Sequence, residues 1–230
     1  MTWMVTGASR GLGRHLTLQL AERGHAVLAC ARDSARRAAL AAIHPDHITP
    51  IELDLADADA LVSRVQAALA KVTHLSGVMN NAGVGEYKPF VEHRERELMT
   101  ILQVNLGAVM QICHAVLPRL LAQGRGHIIN VGSDLARRPL ANMAAYVASK
   151  HGLAGFSHSL LREVKNAGIK VSLINSGIID TDFGGASEGS RDESWSLRPA
   201  WLAGLILQLI DQPDSVVVDE LTVHPLGQDF

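Results

Sequence analysis

The sequence predicts a doubly wound α/β fold, a parallel sheet of about seven strands with helices on both faces. Three observations predict it. Short apolar runs alternate with longer amphipathic ones along all 230 residues, the rhythm of βα units. The chain is 47% apolar and only 4% aromatic, so its core is built from Ala, Leu, Val and Ile. Gly7, Asp54, Asn81 and Ser133 all fall at the ends of predicted strands, and such a sheet carries its ligand beyond the carboxyl ends of its strands.

The elements follow in order. Strand one is 2–6, and a glycine turn at 7–13 opens a helix over 12–23 that Gly24 closes. Strand two, 25–30, precedes a helix over 34–43. Strand three ends at Leu53-Asp54, with a helix over 57–72. Strand four, 75–79, leads into Asn80-Asn81-Ala82-Gly83. A long helical tract spans roughly 94–123 and contains Asn105. Strand five, 127–131, runs into Gly132-Ser133, and the next helix carries Tyr146 and Lys150 to about 166, with Gly168 after it. Strand six, 170–175, ends at Ser176-Gly177. Segment 182–198, rich in Gly, Ser, Asp and Glu, has the composition of a mobile lid. A helix over 199–211 and a strand over 215–223 complete one domain, 1–230.

Composition narrows the function. A net charge of −2 spread without blocks gives no basic face for nucleic acid. Cys30 and Cys113 each lie inside a predicted buried element, as free thiols of a reducing, cytoplasmic compartment do. The glycine motif opens at Thr6, so no signal peptide is expected before it. Gly, Arg or His interrupts the longest apolar runs short of a membrane span.

Thr6-Gly7-Ala8-Ser9-Arg10-Gly11-Leu12-Gly13 sits between the first strand and its helix. It does not match the G-x-G-x-x-G spacing; it is either an ordinary glycine turn after a strand or a loop able to do the same physical work. Glycine lets the backbone approach a pyrophosphate, and the helix start offers free N–H groups and a positive dipole end. A Rossmann-type dinucleotide site follows, in which an acidic residue after strand two usually binds ribose hydroxyls. That neighbourhood here reads Ala31-Arg32. With Arg10 in the loop, two arginines can grip a 2′-phosphate in forked, charge-assisted bonds, so NADP(H) is favoured over NAD(H). Asp54 either accepts from an adenine amine or caps the helix that follows.

Tyr146 and Lys150 stand four residues apart on a helix and so share a face. Bringing a phenol of pKa about 10 to neutrality takes roughly 4 kcal/mol. One ammonium about 4 Å away, at an effective dielectric near 20, supplies about that much. Lys150 is therefore expected to make Tyr146 a proton donor and acceptor near neutral pH.

With Thr6-Gly7-x-x-x-Gly11-x-Gly13, Asn80-Asn81-Ala82-Gly83 and Tyr146-x-x-x-Lys150 in one chain, the sequence resembles the short-chain dehydrogenase/reductase family from strand one to about Thr181. Ser133 stands before Tyr146 at the family's spacing. The resemblance implies that Tyr146 passes a proton to or from the substrate oxygen, while Lys150 lowers its pKa and holds the nicotinamide ribose. It implies that Ser133 polarises the carbonyl and that Asn105 holds a water linking Lys150 to solvent. Ser9, Leu12 and Leu55 are expected along the cofactor, with Asn81, Ala82 and Gly83 beside the adenosine ribose. Gly177, Ile179 and Thr181 are expected at the nicotinamide, with Thr181 on its carboxamide.

Two departures stand out. Ser176-Gly177 replaces the family's Pro-Gly, and 218–225 lacks the glycine-rich ending of β-ketoacyl-carrier-protein reductases, resembling instead the branch that acts on 3-hydroxy acids, serine and assorted carbonyls. The leading expectation is a carbonyl reductase or alcohol dehydrogenase acting on a small molecule. A nucleotide-binding sensor without turnover would typically lack Tyr or Lys, and an epimerase would need a larger C-terminal region. Arg137-Arg138 either meet a substrate carboxylate or form a solvated pair. Phe183, Trp195 and Trp201 either cover an apolar substrate or pack the lid's base. Leu102, Leu106, Val109, Ile112 and Val116 exceed one buried stripe, so a homodimer or homotetramer through 94–123 and 146–166 is expected.

Overall fold

The structure, a computed structural model, describes residues 1–228. Seven parallel strands form one sheet in the order β3-β2-β1-β4-β5-β6-β7: β1 Thr2–Thr6, β2 Ala26–Ala31, β3 Ile48–Glu52, β4 Leu75–Asn80, β5 Gly126–Val131, β6 Ile169–Ser176 and β7 Glu220–Val223. The order reverses between β1 and β4, which opens a crevice at their carboxyl ends. Among the described residues, seven α-helices cover the sheet: α1 Gly11–Glu22, α2 Ser34–Ile43, α3 Ala58–Leu69, α4 Glu95–Leu102, α5 Ala108–Gln123, α6 Ala144–Val164 and α7 Pro199–Ile210.

Two apolar layers flank the sheet. Leu16, Leu20, Ile206 and Leu207 of α1 and α7 meet Val5, Met79 and Ile174 on one face. Leu61, Ile112, Val116 and Leu153 of α3, α5 and α6 meet Met4, Val78 and Leu173 on the other. A buried polar chain then fixes α6 against the sheet. Asn80 Nδ2 donates to Asn130 Oδ1 at 2.9 Å, Asn130 Nδ2 to Ser157 Oγ at 2.9 Å, and Ser157 Oγ to Leu153 O at 2.7 Å. Tyr146 and Lys150 ride on the same helix and inherit that registration.

Gly24, at φ +79°, closes α1 in the left-handed region as expected, its N–H bonding Ala21 O. The tract 94–123 is helical as expected, with a π turn at Gln103–Gly107 between α4 and α5. Two expectations are corrected. The combined 29 residues Glu95–Gln123 are long and apolar enough to cross a membrane by length and composition, contrary to the run-length argument. The tract nonetheless packs into the core through Ile101, Val104, Ala108 and Ile112. Residues 215–218 form no strand, since β6 pairs with β7 only from Leu173↔Glu220 onward. Cys30 and Cys113 are free and buried, and burial pushes both thiols up to about 12.

Candidate active site

One cleft of about 1250 Å³ opens at the carboxyl ends of β1, β4, β5 and β6. Gly7, Ser9, Arg10, Gly11, Leu12, Arg32, Asp54, Leu55, Asn81, Ala82, Gly83, Ser133, Tyr146, Lys150, Gly177, Ile179 and Thr181 all line it. Gly13 and Asn105 do not; they support it from behind. A Cβ on Gly13 would lie 2.3 Å from Gly7 O, so this glycine lets α1 pack against the turn. Gly7 is at φ +66°, and a Cβ there would sit 3.0 Å from the Ala82 backbone.

Arg10, the N-cap of α1, provides no side-chain cap, and the first turn carries no acid. The helix thus presents bare N–H groups and its positive end to the cleft, as an anion requires. Asn81 braces the loop: its Nδ2 donates to Thr6 O at 2.9 Å, and its N–H to Thr6 Oγ1 at 3.0 Å. Asp54 accepts from Ala56 N–H at 3.0 Å, while Asp57 caps α3 through Ala60 N–H. The helix-capping alternative for Asp54 is therefore corrected; its other neighbour is Arg32, at 3.9 Å.

Arg37 is buried and donates to Ala31 O at 2.6 Å and Arg32 O at 2.7 Å. This closes the end of β2 and leaves Arg32 and Arg36 on the cleft. Asp33, where a ribose-binding acid would stand, accepts from Arg36 N–H at 2.9 Å as the cap of α2.

At the other end, Tyr146, Ser133 and Lys150 are buried to 9%, 6% and 3% exposure. Lys150 Nζ donates to Val131 O at 2.7 Å and lies 5.7 Å from the Tyr146 ring centre. Burial pushes the Tyr146 phenol up to about 12; the Ser133 hydroxyl opposes this and the Asp134 carboxylate adds to it. Burial holds the Lys150 ammonium down at about 8. The expectation that Lys150 acidifies Tyr146 is thus not met in the protein alone: burial sets the direction, and Ser133, not Lys150, is the group that opposes it. The protein keeps a protonated phenol at neutral pH, which is a proton donor.

Asn105 sits in the π turn, the kind of irregularity that recurs at functional sites. Its Oδ1 accepts Val84 N–H at 2.9 Å, and its Nδ2 donates to Val84 O at 2.8 Å and Ser149 Oγ at 3.0 Å. A Cβ on Gly83 would lie 3.5 Å from Asn105 Oδ1 and 3.9 Å from Lys150 Nζ, so glycine there keeps the space between them open.

Phe183 packs against Tyr146 with ring centres 5.7 Å apart and planes tilted by 59°. Trp195 and Trp201 are exposed and outside the cleft. Arg138 lines the cleft, whereas Arg137 pairs with Glu220 at 2.7 Å. Sequence reasoning missed Arg36, Asp134, Arg191 and Gln228, which also line it. Arg36 lies in the first turn of α2, close after Arg32 in sequence, and that proximity could have found it.

The family model described as short chain dehydrogenase matches residues 2–191. The chain therefore belongs to the short-chain dehydrogenase family, and with it to the oxidoreductases acting on CH–OH groups. It is 31% identical to the 3-oxoacyl-acyl-carrier-protein reductase FabG of Vibrio cholerae, over 97% of this chain and 95% of that one. An alcohol dehydrogenase from Thermococcus sibiricus, complexed with 5-hydroxy-NADP, superposes with a TM-score of 0.91 at 27% identity, covering 99% of this chain and 97% of that one. A metagenomic short-chain oxidoreductase in complex with NADP gives a TM-score of 0.85 at 30% identity, over 98% and 96%. The close glycines, bare helix start and cleft volume fit a nicotinamide dinucleotide.

Proposed function

We propose that this protein is an NADP(H)-dependent carbonyl reductase, converting a carbonyl to an alcohol or running the reverse, with Tyr146 as general acid/base. One observation carries the reading: a buried Tyr146, with Ser133 and Lys150, walls the same cleft as the glycine loop. The bound nicotinamide supplies the hydride. Tyr146 gives its phenol proton to the developing alkoxide, and Ser133 donates a hydrogen bond to the carbonyl oxygen. Lys150 holds the ribose, and its ammonium stabilises the phenolate left behind. Asn105 holds a water in the space beside Gly83, linking Lys150 to solvent.

Gly7, Ser9, Gly11 and Leu12 hold the pyrophosphate, Asp54 and Leu55 the adenine, and Asn81, Ala82 and Gly83 the adjoining ribose. Gly177, Ile179 and Thr181 hold the nicotinamide. Arg10, Arg32 and Arg36 favour NADP(H) over NAD(H). Residues 1–230 act as one unit, with 182–198 as the lid; Phe183 covers the substrate side of Tyr146. The buried, unpaired thiols suit a reducing, cytoplasmic setting.

A second reading, reduction of a β-ketoacyl carrier protein, is favoured by the Vibrio cholerae relative. A panel of aldehydes, ketones and a β-ketoacyl thioester, scored by NADPH oxidation, tests both. Turnover of at least one carbonyl is expected; a panel without turnover rejects the proposal.

We also expect a homodimer or homotetramer. Val109, Ile112 and Val116, three of the apolar positions expected at that interface, are buried in the chain's own core instead. Met99, Met110 and Leu121 on α4 and α5 remain exposed. Light scattering should give at least twice the chain mass; a monomer would contradict it.

A further inference from the structure

After β7 the chain returns across the cleft. Gly227 N–H donates to Ser194 O at 3.0 Å, and Gln228 N–H to Pro225 O at 3.2 Å. Residues 224–228 thereby run between the end of segment 182–198 and the loop after β6. The Gln228 amide then meets two walls of the site. Its Oε1 accepts Ile178 N–H at 2.8 Å, and its Nε2 donates to Asp134 Oδ2 at 2.7 Å. The other oxygen of Asp134 accepts the Ser133 hydroxyl at 3.2 Å. Asp134 is only 5% exposed, and His224 Nε2 stands 3.7 Å from its Oδ2. Glycine at 177 makes the docking possible, since a Cβ there would lie 2.2 Å from Gln228 Oε1 and 3.0 Å from Pro225 Cδ.

We propose that Gln228 is a positioning residue: its amide clamps Asp134 to Ile178 N–H and so fixes the Ser133 hydroxyl relative to the loop at 177–181. The inference rests on the reductase reading, in which Ser133 and that loop flank the reacting carbon. An amide suits the task because it donates from one end and accepts at the other. With Oδ2 engaged by Gln228, Asp134 offers Oδ1 to Ser133, and the hydroxyl has one defined resting orientation. The same clamp keeps a backbone N–H and a carboxylate satisfied in a buried site. Ninety-four positions separate Asp134 from Gln228, so the bond joins parts of the fold that share no secondary structure.

The test uses the full chain. Gln228→Asn is one methylene short of spanning both partners, and Gln228→Glu sets two carboxylates face to face. Asp134→Asn combined with Gln228→Glu reverses donor and acceptor while keeping both bonds. Each single Gln228 variant is expected to lower kcat at saturating NADPH by roughly 10- to 100-fold, the scale of a misplaced reacting group. Each should also weaken NADPH binding several-fold while remaining folded by circular dichroism. The paired variant is expected to recover most of both losses.

Wild-type kcat and NADPH affinity in Gln228→Asn, or a paired variant no better than its worse parent, would overturn the clamp. NADPH fluorescence titration needs no turnover. A wild-type protein that binds NADPH but reduces no carbonyl would count against the reductase reading, while the affinity series still decides the clamp.

Discussion

Tyr146→Phe is expected to lower kcat for carbonyl reduction by roughly 10²- to 10⁴-fold, the contribution of a positioned general acid. NADPH affinity should stay within a few-fold of wild type. The substitution removes one oxygen and keeps the ring that packs on Phe183, so the fold has little reason to respond. The size of the loss follows from the site's own balance. Burial holds the phenol near 12, so at neutral pH it is the protonated form that meets the substrate. Ser133 cannot replace that proton, being a far weaker acid, and the Lys150 ammonium is turned toward Val131 O, 5.7 Å from the Tyr146 ring centre. Steady-state rates with a carbonyl from the panel, alongside an NADPH titration, check this. Undiminished turnover in the variant would remove Tyr146 from the mechanism.

The second large effect is expected at the adenosine end. Arg32→Ala with Arg36→Ala should weaken NADPH binding about 100-fold and leave NADH nearly unchanged. Each arginine can give a phosphate a charge-assisted bond worth about 1.5–3 kcal/mol. What they relinquish is small. Arg32 meets Asp54 at 3.9 Å, and Arg36 meets Asp33 at 3.5 Å and Asp182 at 3.6 Å, with both arginines more than half exposed. Such exposed pairs contribute about 0–1 kcal/mol, so the unliganded protein should tolerate their loss. Thermal melts provide the readout. A hundredfold loss of affinity removes about 2.7 kcal/mol of ligand stabilisation, or roughly 5–10 °C of the NADPH-induced rise for a chain of this size. A wild-type protein stabilised more by NADH than by NADPH would reject the preference itself.

Features encoded by local spacing were legible in the sequence. The glycine loop, the i, i+4 pair of Tyr146 and Lys150, and the strand–helix alternation all depend on neighbours within a few residues. Features set by tertiary context were not. Ser215-Val216-Val217-Val218 has strand composition, yet Val216 and Val217 lie exposed and Ser172 Oγ takes the Val218 carbonyl at 2.6 Å. The π turn around Asn105 depends on its side chain reaching Val84, twenty-one positions away. The electrostatics of Tyr146 escaped for a related reason: i, i+4 spacing gives the distance to an ammonium but not the depth of burial. Asp134 carried no signal until the fold set Gln228 against it.

The central claim is that Tyr146, Ser133 and Lys150 reduce a carbonyl beside a nicotinamide bound in this cleft. Its most direct test uses NADPH deuterated on either face of nicotinamide C4, with mass spectrometry of the alcohol formed. One deuterium on the carbinol carbon, from a single labelled face and strongly reduced in Tyr146→Phe, is the predicted result. NADPH consumed with no label reaching the product carbon from either face would contradict the account.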